Sequence, residues 1–168
     1  SCTVLDCQTG DLLCMASMPS YDPNSFSDGI GRTEWKTLSE DPRKPLLNKA
    51  VNALYPPGST LKPMAALAMQ QHGIDPKERV YCNGGYQLGN RFFRCLGRHG
   101  SVDMHRAIAK SCNTYFYAMA NRIGYDAIAP MARLLGLGEK FDLPLVSQNY
   151  GTIPDSEWKQ RRFDKNPR

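Results

Sequence analysis

The sharpest local feature of this chain is the segment Tyr55-Pro56-Pro57-Gly58-Ser59-Thr60-Leu61-Lys62-Pro63. The rigid Pro-Pro-Gly segment leads into residues 59–72, which are rich in Ala, Leu, Met and Gln, and Gly73 follows them. This pattern predicts a helix, and Pro63 falls in its first turn, where a missing N–H is tolerated. Ser59 would be the first residue of the helix, and Lys62 would lie one turn later on the same face.

Ser59 and Lys62 are candidates for a nucleophile and its base. A serine is a poor nucleophile unless a base takes its proton, and a lysine is such a base only when burial or a nearby cation keeps it neutral. The positive end of the helix would also favour an oxyanion formed at Ser59. A helix cap and a solvated lysine are the structural alternative, because Ser-x-x-Lys alone is a common pattern.

The rest of the chain predicts one hairpin and several helices. Residues 3–17 favour a β-hairpin around a turn at residues 8–11, and turn residues punctuate residues 19–52. Further helices are predicted at residues 33–38, 104–111, 114–123 and 125–135, with a helical turn at residues 157–163. Residues 80–100 are rich in Gly and aromatic residues and show no reliable period. These elements predict an α+β fold with few strands.

Composition and charge exclude several classes of protein. The 168 residues carry 21 Lys+Arg and 16 Asp+Glu, a net charge of +5, and 41% of them are hydrophobic. These values are ordinary for a globular chain and argue against disorder. The longest apolar run, residues 64–69, is too short to cross a membrane. Basic residues are dispersed apart from a cluster in residues 159–168, so nucleic acid is not expected as a partner.

A second polar group of residues lies where two predicted helices meet. It is the segment Lys110-Ser111-Cys112-Asn113-Thr114. Ser111 could relay a proton there, and Asn113 could hold a substrate amide. Each is also a preferred helix cap, so the segment by itself leaves both interpretations open.

Together the two motifs resemble those of the penicillin-recognising serine acyltransferases, which carry Ser-x-x-Lys, Ser-x-Asn and Lys-Thr-Gly. The resemblance is to the penicillin-binding protein 2 family, the class B monofunctional transpeptidases, and it extends over essentially the whole chain. Further segments that carry it are Asp22-Pro23-Asn24, Pro45-Leu46-Leu47-Asn48-Lys49-Ala50, Cys112-Asn113-Thr114-Tyr115-Phe116-Tyr117 and Glu157-Trp158-Lys159. It implies that Ser59 is the acylated nucleophile, Lys62 its base, and Ser111 and Asn113 the second catalytic motif, with Asn113 also binding substrate.

The third motif of this family is absent from the sequence, which contains neither Lys-Thr-Gly nor Lys-Ser-Gly. In the family it lies on a central strand further along the chain and forms a cationic wall for the substrate carboxylate. We therefore expect residues 1–168 to be the N-terminal portion of one transpeptidase domain. This portion would hold the helical region and an N-terminal hairpin of the penicillin-binding-protein/serine β-lactamase-like fold, with most of the central sheet encoded after Arg168. Alone it would be a poor catalyst, since loss of one oxyanion donor costs about 10²–10³ in rate.

Four residues of the middle segment are candidate metal ligands. The spacing Cys82-x12-Cys95-x3-His99-x12-Cys112 offers enough donors for a closed tetrahedral zinc site. The gaps are longer than those of compact zinc motifs, so disulfides and free buried cysteines remain alternatives.

The family resemblance favours the zinc interpretation. Proteins of this kind can carry a metal in the loop before the second motif, with His99 and Cys112 matching directly and Cys82 and Cys95 standing in place of carboxylates. A structural zinc bound by Cys112 would fix the helix junction that carries Ser111 and Asn113. The roles of the N-terminal cysteines, Cys2, Cys7 and Cys14, stay unassigned.

The resemblance implies a peptidoglycan D,D-transpeptidase of cell-wall elongation. Ser59 would attack the D-Ala-D-Ala end of a stem peptide, and β-lactams would trap the acyl-enzyme. For the full-length protein it implies a membrane anchor, which this chain lacks, and a place on the periplasmic face of the bacterial inner membrane. The implied partners are a SEDS-type glycan polymerase and a rod-shape scaffold protein. The alternatives are a serine β-lactamase or penicillin-sensing domain, and a zinc-stabilised binding module without catalysis.

Overall fold

The computed structural model describes residues 1–165, which divide into two compact units. The first unit contains residues 1–55 and 140–150, and the second contains residues 56–139 and the segment from residue 151 onward. All of the predicted catalytic and metal-ligating residues lie in the second unit. Among the described residues, no helix combines the length and apolar character needed to cross a membrane.

The first unit begins with the predicted hairpin. Strands β1 (Cys2–Leu5) and β2 (Leu12–Ala16) pair antiparallel. The carboxylate of Asp6 accepts hydrogen bonds from the backbone N–H groups of the next turn, which explains the tight reversal. A 3₁₀ turn (Pro23–Phe26) and helix α1 (Arg32–Glu40) follow, so the helix predicted at residues 33–38 is confirmed and is longer than expected.

The second unit is mainly helical. Its helices are α2 (Lys62–Gln71), α3 (Met104–Ala109), α4 (Asn113–Ile123), α5 (Tyr125–Leu134) and α6 (Ser156–Lys165). Helix α2 packs against α4 and α5, and its inner face consists of alanines and Met69. Small side chains let the backbones approach closely, while Met69, Val102 and Tyr115 are fully buried between the elements. The predicted helices of this unit are thereby confirmed.

Residues 80–102 form four short strands, which the sequence analysis did not predict. Strand β3 (Val80–Cys82) pairs with β6 (Gly100–Val102), and β4 (Gly85–Leu88) pairs with β5 (Arg91–Arg94). Strands of three or four residues are too short to show a period of two, so their pattern was not visible. Within the described residues every sheet is two-stranded, in agreement with the predicted α+β fragment with a sparse sheet.

Gly85 is required at the open end of the β4–β5 hairpin, where it pairs with Arg94. A β-carbon at this position would lie 2.3 Å from the ring of Phe92 and 2.6 Å from the carbonyl oxygen of Phe93. Because β5 also carries Arg94, which contacts the site described next, this glycine helps to set the position of the site.

Candidate active site

Ser59 lies in a single 3₁₀ turn (Gly58–Leu61) that precedes α2, and is not the first residue of that helix as predicted. The reason is Pro63. It has no N–H to give to the carbonyl of Ser59, which instead accepts the N–H of Lys62, the bond that defines a 3₁₀ turn. Gly58 begins the turn at a φ of +56°, a backbone conformation that favours glycine.

The junction between α3 and α4 carries the second motif. Ser111 has a φ of +51°, which is uncommon for a residue with a side chain. The N–H of Cys112 bonds to the carbonyl of Ala107 at 2.8 Å, and α4 begins at Asn113. The left-handed conformation of Ser111 thus turns the chain between α3 and α4, and Ser111 and Asn113 lie on either side of the buried Cys112.

Hydrogen bonds bring the four predicted catalytic residues together. The amino group of Lys62 donates to the Ser111 carbonyl oxygen at 2.7 Å, to Ser111 Oγ at 2.8 Å and to Asn113 Oδ1 at 2.7 Å. Ser111 Oγ in turn donates to Ser59 Oγ at 2.8 Å. Among the described residues, no direct hydrogen bond joins Lys62 to Ser59.

These contacts argue against the purely structural interpretation of each motif. Neither α2 nor α4 has a side-chain cap at its N-terminus, so Ser59, Ser111 and Asn113 are not helix caps. Lys62 is not a solvated lysine, because its amino group is enclosed by polar acceptors and lies 5.7 Å from the centre of the Phe116 ring.

Burial makes Lys62 easier to deprotonate. Loss of solvation lowers the pKa of its ammonium below the ordinary lysine value, while the thiolates of Cys95 and Cys112 act in the opposite direction. The net shift is toward the neutral amine, which is the form a base must have.

The four predicted metal ligands also lie together. Nδ1 of His99 is 3.6 Å from the sulfur of Cys82 and 3.5 Å from that of Cys95, and the sulfurs of Cys95 and Cys112 are 3.9 Å apart. All four donor atoms lie within 4.8 Å of one another. Each cysteine in the chain is a free thiol in the structure, so no disulfide competes for these sulfurs.

The spacing of these donors fits a zinc ion. Tetrahedral zinc, with bonds of about 2.3 Å to sulfur and 2.0–2.1 Å to nitrogen, places its sulfurs about 3.8 Å apart and sulfur and nitrogen about 3.5 Å apart. The two sulfur–nitrogen distances to His99 and the sulfur–sulfur distance between Cys95 and Cys112 agree with these edges within a few tenths of an ångström. Three cysteines and one histidine are also a ligand set found in closed structural zinc sites.

The thiols of the cluster differ in how readily they ionise. Burial raises the pKa of Cys95, but backbone N–H groups of Thr114 and Gly97 outweigh it and lower that pKa to about 6. Burial raises the pKa of Cys112 to about 11. A thiolate is therefore available at neutral pH, and a bound divalent cation would favour ionisation of the remaining thiols.

Two contacts connect the cysteine cluster to its surroundings. The backbone N–H of Asn113 lies 3.2 Å from the sulfur of Cys95, so a candidate catalytic residue and a candidate metal ligand share a hydrogen bond. The hydroxyl of Thr114 lies 3.1 Å from the sulfur of Cys82, and Thr114 is only 2% exposed. The sequence analysis gave no role to Thr114. Its position directly after the second motif was the only available signal.

Comparisons with known proteins identify a family. The family described as penicillin binding protein transpeptidase domain matches residues 1–166. The peptidoglycan D,D-transpeptidase MrdA of Acinetobacter baumannii is 39% identical over 162 residues, which are 94% of this chain and 24% of that protein. The chain therefore spans about a quarter of the length of this curated relative.

Solved structures agree with this match. The crystal structure of Pseudomonas aeruginosa PBP2 in complex with WCK 5153 has a TM-score of 0.89 and 38% identity, over 96% of this chain and 38% of that one. The complex of PBP2 with MreC from Helicobacter pylori has a TM-score of 0.91 and 33% identity, over 99% of this chain and 32% of that one.

Proposed function

The chain belongs to the penicillin-binding protein transpeptidase family, and we propose that it supplies the nucleophile and the base of a peptidoglycan D,D-transpeptidase. The observation that carries this proposal is the hydrogen-bonded path from Ser59 through Ser111 to Lys62. A nucleophile linked to a base that is itself held by further groups is the arrangement that acyl transfer requires.

Acylation begins when Ser59 Oγ attacks the carbonyl carbon of the D-Ala-D-Ala peptide bond. When Lys62 is neutral, its amine accepts from Ser111 Oγ, and the hydrogen bonds along this path reverse their direction. The Ser59 proton then passes to Ser111 Oγ while the Ser111 proton passes to the amine of Lys62, so that Ser111 is left unchanged. The C–N bond then breaks, D-alanine leaves with a proton from Lys62, and an ester of Ser59 remains. An amine of a neighbouring stem peptide attacks this ester, the bond between the acyl carbon and Ser59 Oγ breaks, and the proton lost by the amine returns to Ser59 Oγ. The new amide is the cross-link.

Asn113 has a positioning role within this proposal. Its Oδ1 accepts from Lys62 while its Nδ2 donates to the carbonyl oxygen of Arg94 at 3.3 Å. One N–H of the amide is left for a substrate carbonyl, as the substrate-binding role predicts. The Lys-Thr-Gly motif is not in this sequence, so the chain alone is expected to be a weak or inactive catalyst.

For the full-length protein we propose a place in cell-wall elongation at the periplasmic face of the inner membrane. β-Lactams would acylate Ser59, because they mimic D-Ala-D-Ala. A SEDS-type glycan polymerase and a rod-shape scaffold protein are the proposed partners, and the complex of Helicobacter pylori PBP2 with MreC supports this kind of assembly.

A structural zinc ion at Cys82, Cys95, His99 and Cys112 is a second proposal, supported by the spacing of the four donor atoms. When bound, the metal would tie the ligand loop to the helix junction. Cys112 would then hold the backbone between the two residues of the second motif, and orientation of those residues is its expected contribution to catalysis.

The transpeptidase proposal is tested by D-alanine release and cross-link formation with a stem pentapeptide, measured by mass spectrometry on the full-length protein. Ser59→Ala is expected to abolish both products, and the control Ser101→Ala, at an exposed serine on β6, is expected to form both. Equal product from the two variants would contradict the assignment of Ser59. Hydrolysis of benzylpenicillin with rapid turnover and no cross-link would instead support the β-lactamase alternative.

A further inference from the structure

A stripe of amide and phenol side chains on α4 leads from the candidate active site to a cavity, and the stripe and the cavity together form a groove. Asn113, Tyr117 and Asn121 are spaced by four residues and therefore form one stripe on the helix. With a rise of 1.5 Å per residue, Tyr117 lies about 6 Å and Asn121 about 12 Å along the axis from Asn113. The β4–β5 hairpin forms the opposite wall, and its carbonyl at Arg94 accepts the side-chain N–H of Asn113.

The far end of this stripe opens into a cavity of about 310 Å³. Its lining residues are aromatic, aliphatic or amide-bearing: Tyr86, Leu88, Phe93, Tyr117, Ala120, Asn121, Gly124 and Tyr125. The rings of Phe93 and Tyr117 pack 5.4 Å apart, and Asn121 Nδ2 donates to the hydroxyl of Tyr86 at 3.3 Å. Tyr117 and Tyr125 are 37% and 70% exposed, so their rings are available to a ligand.

The chemistry of the lining limits what it can bind. None of the residues that line the cavity is charged, and the guanidinium of Arg91 lies 5.5 Å from the centre of the lining Phe93 ring. Ammonium groups would therefore lose solvation there without an anionic partner. Stem peptides carry such charges. N-acetylated sugars are neutral, and they present C–H faces to aromatic rings and hydroxyl or acetamido groups to phenol and amide side chains.

We propose that this groove is a subsite for an N-acetylated sugar of the glycan strand that carries the donor stem peptide. The inference rests on the proposed transpeptidase function, because it joins a sugar site to the candidate catalytic asparagine on one helix. A polymer held in the groove would present its peptide branch near Asn113, and binding of a remote part of the substrate would orient the reacting part.

The test uses saturation-transfer NMR and titration calorimetry of the full-length protein with tetra-N-acetylchitotetraose, and cellotetraose serves as the sugar without acetamido groups. Chitotetraose is expected to bind and cellotetraose to bind more weakly. Tyr117→Leu should raise the dissociation constant for chitotetraose about 2- to 10-fold, the range expected for loss of one stacked ring. The control Tyr81→Leu removes a ring that is 73% exposed on β3 outside the groove, and it should leave the constant unchanged.

Absence of chitotetraose binding at millimolar concentration, or equal binding by wild type and Tyr117→Leu, would overturn the subsite. Benzylpenicillin acylation of the same wild-type sample separates the two proposals. Acylation without sugar binding overturns the subsite alone, whereas a lack of acylation counts against the transpeptidase function itself.

Discussion

Replacing Ser111 tests whether the proton of Ser59 travels through a relay. The Ser111 hydroxyl lies 2.8 Å from both Ser59 Oγ and Lys62 Nζ, and Lys62 has no direct hydrogen bond to Ser59 among the described residues. Ser111→Ala removes this bridge and leaves the Ser111 carbonyl in place for Lys62. Because a positioned proton-transfer group contributes about 10²–10⁴ in rate, we expect acylation to slow by that factor.

A matched variant separates the lost hydroxyl from changes in the backbone. Ser111→Gly also removes the hydroxyl, but it relieves the left-handed conformation at a φ of +51°, which costs an ordinary residue about 1–2 kcal/mol. Stopped-flow acylation of the full-length protein by a chromogenic β-lactam measures both variants. The relay predicts the same loss of rate in both. Acylation of Ser111→Ala at the wild-type rate would refute the relay and assign proton transfer to Lys62 alone.

Three further predictions concern the base, the metal cluster and the hairpin. The acylation rate should rise with pH as Lys62 loses its proton, with a midpoint below the ordinary lysine pKa of about 10.4. Lys62→Arg should abolish this rise because arginine stays protonated. Stopped-flow kinetics from pH 6 to 10 checks both expectations. Thr114→Val should weaken zinc binding about 10- to 100-fold in chelator competition, while Thr114→Ser retains the hydroxyl at Cys82 and the affinity. Gly85→Ala should lower the free energy of unfolding by about 1–3 kcal/mol in urea titration, whereas Gly31→Ala, where the added carbon meets open space, should change it little.

The helices could be predicted because they depend on local sequence, and the two candidate catalytic motifs are local patterns of the same kind. The Ala-rich run after Ser59 and the glycine that follows it define α2 with little help from the rest of the chain. The position of Ser59 relative to the helix start was harder to predict. Because Pro63 has no N–H, the Ser59 carbonyl has no α-helical donor, and Ser59 therefore lies in the 3₁₀ turn before α2.

The short strands and the relay required the three-dimensional structure. Strands β3 and β6 pair across the whole hairpin that lies between them in the sequence, and Gly85 allows β5 to approach β4 closely, which the local pattern does not reveal. The cysteine spacing suggested a metal site, but the convergence of four donors depends on pairing of Cys82 with Gly100 and on the junction at Cys112. Thr114 could not be found from the sequence, because its role comes only from its contact with a cysteine far along the chain.

The most direct test of the central claim is the intact mass of the full-length protein after exposure to benzylpenicillin, followed by peptide mapping. The account predicts one penicilloyl adduct on the peptide that contains Ser59, and no adduct in Ser59→Ala. An adduct on another residue, or none in a folded wild-type protein, would contradict the assignment of Ser59 as the acylated nucleophile.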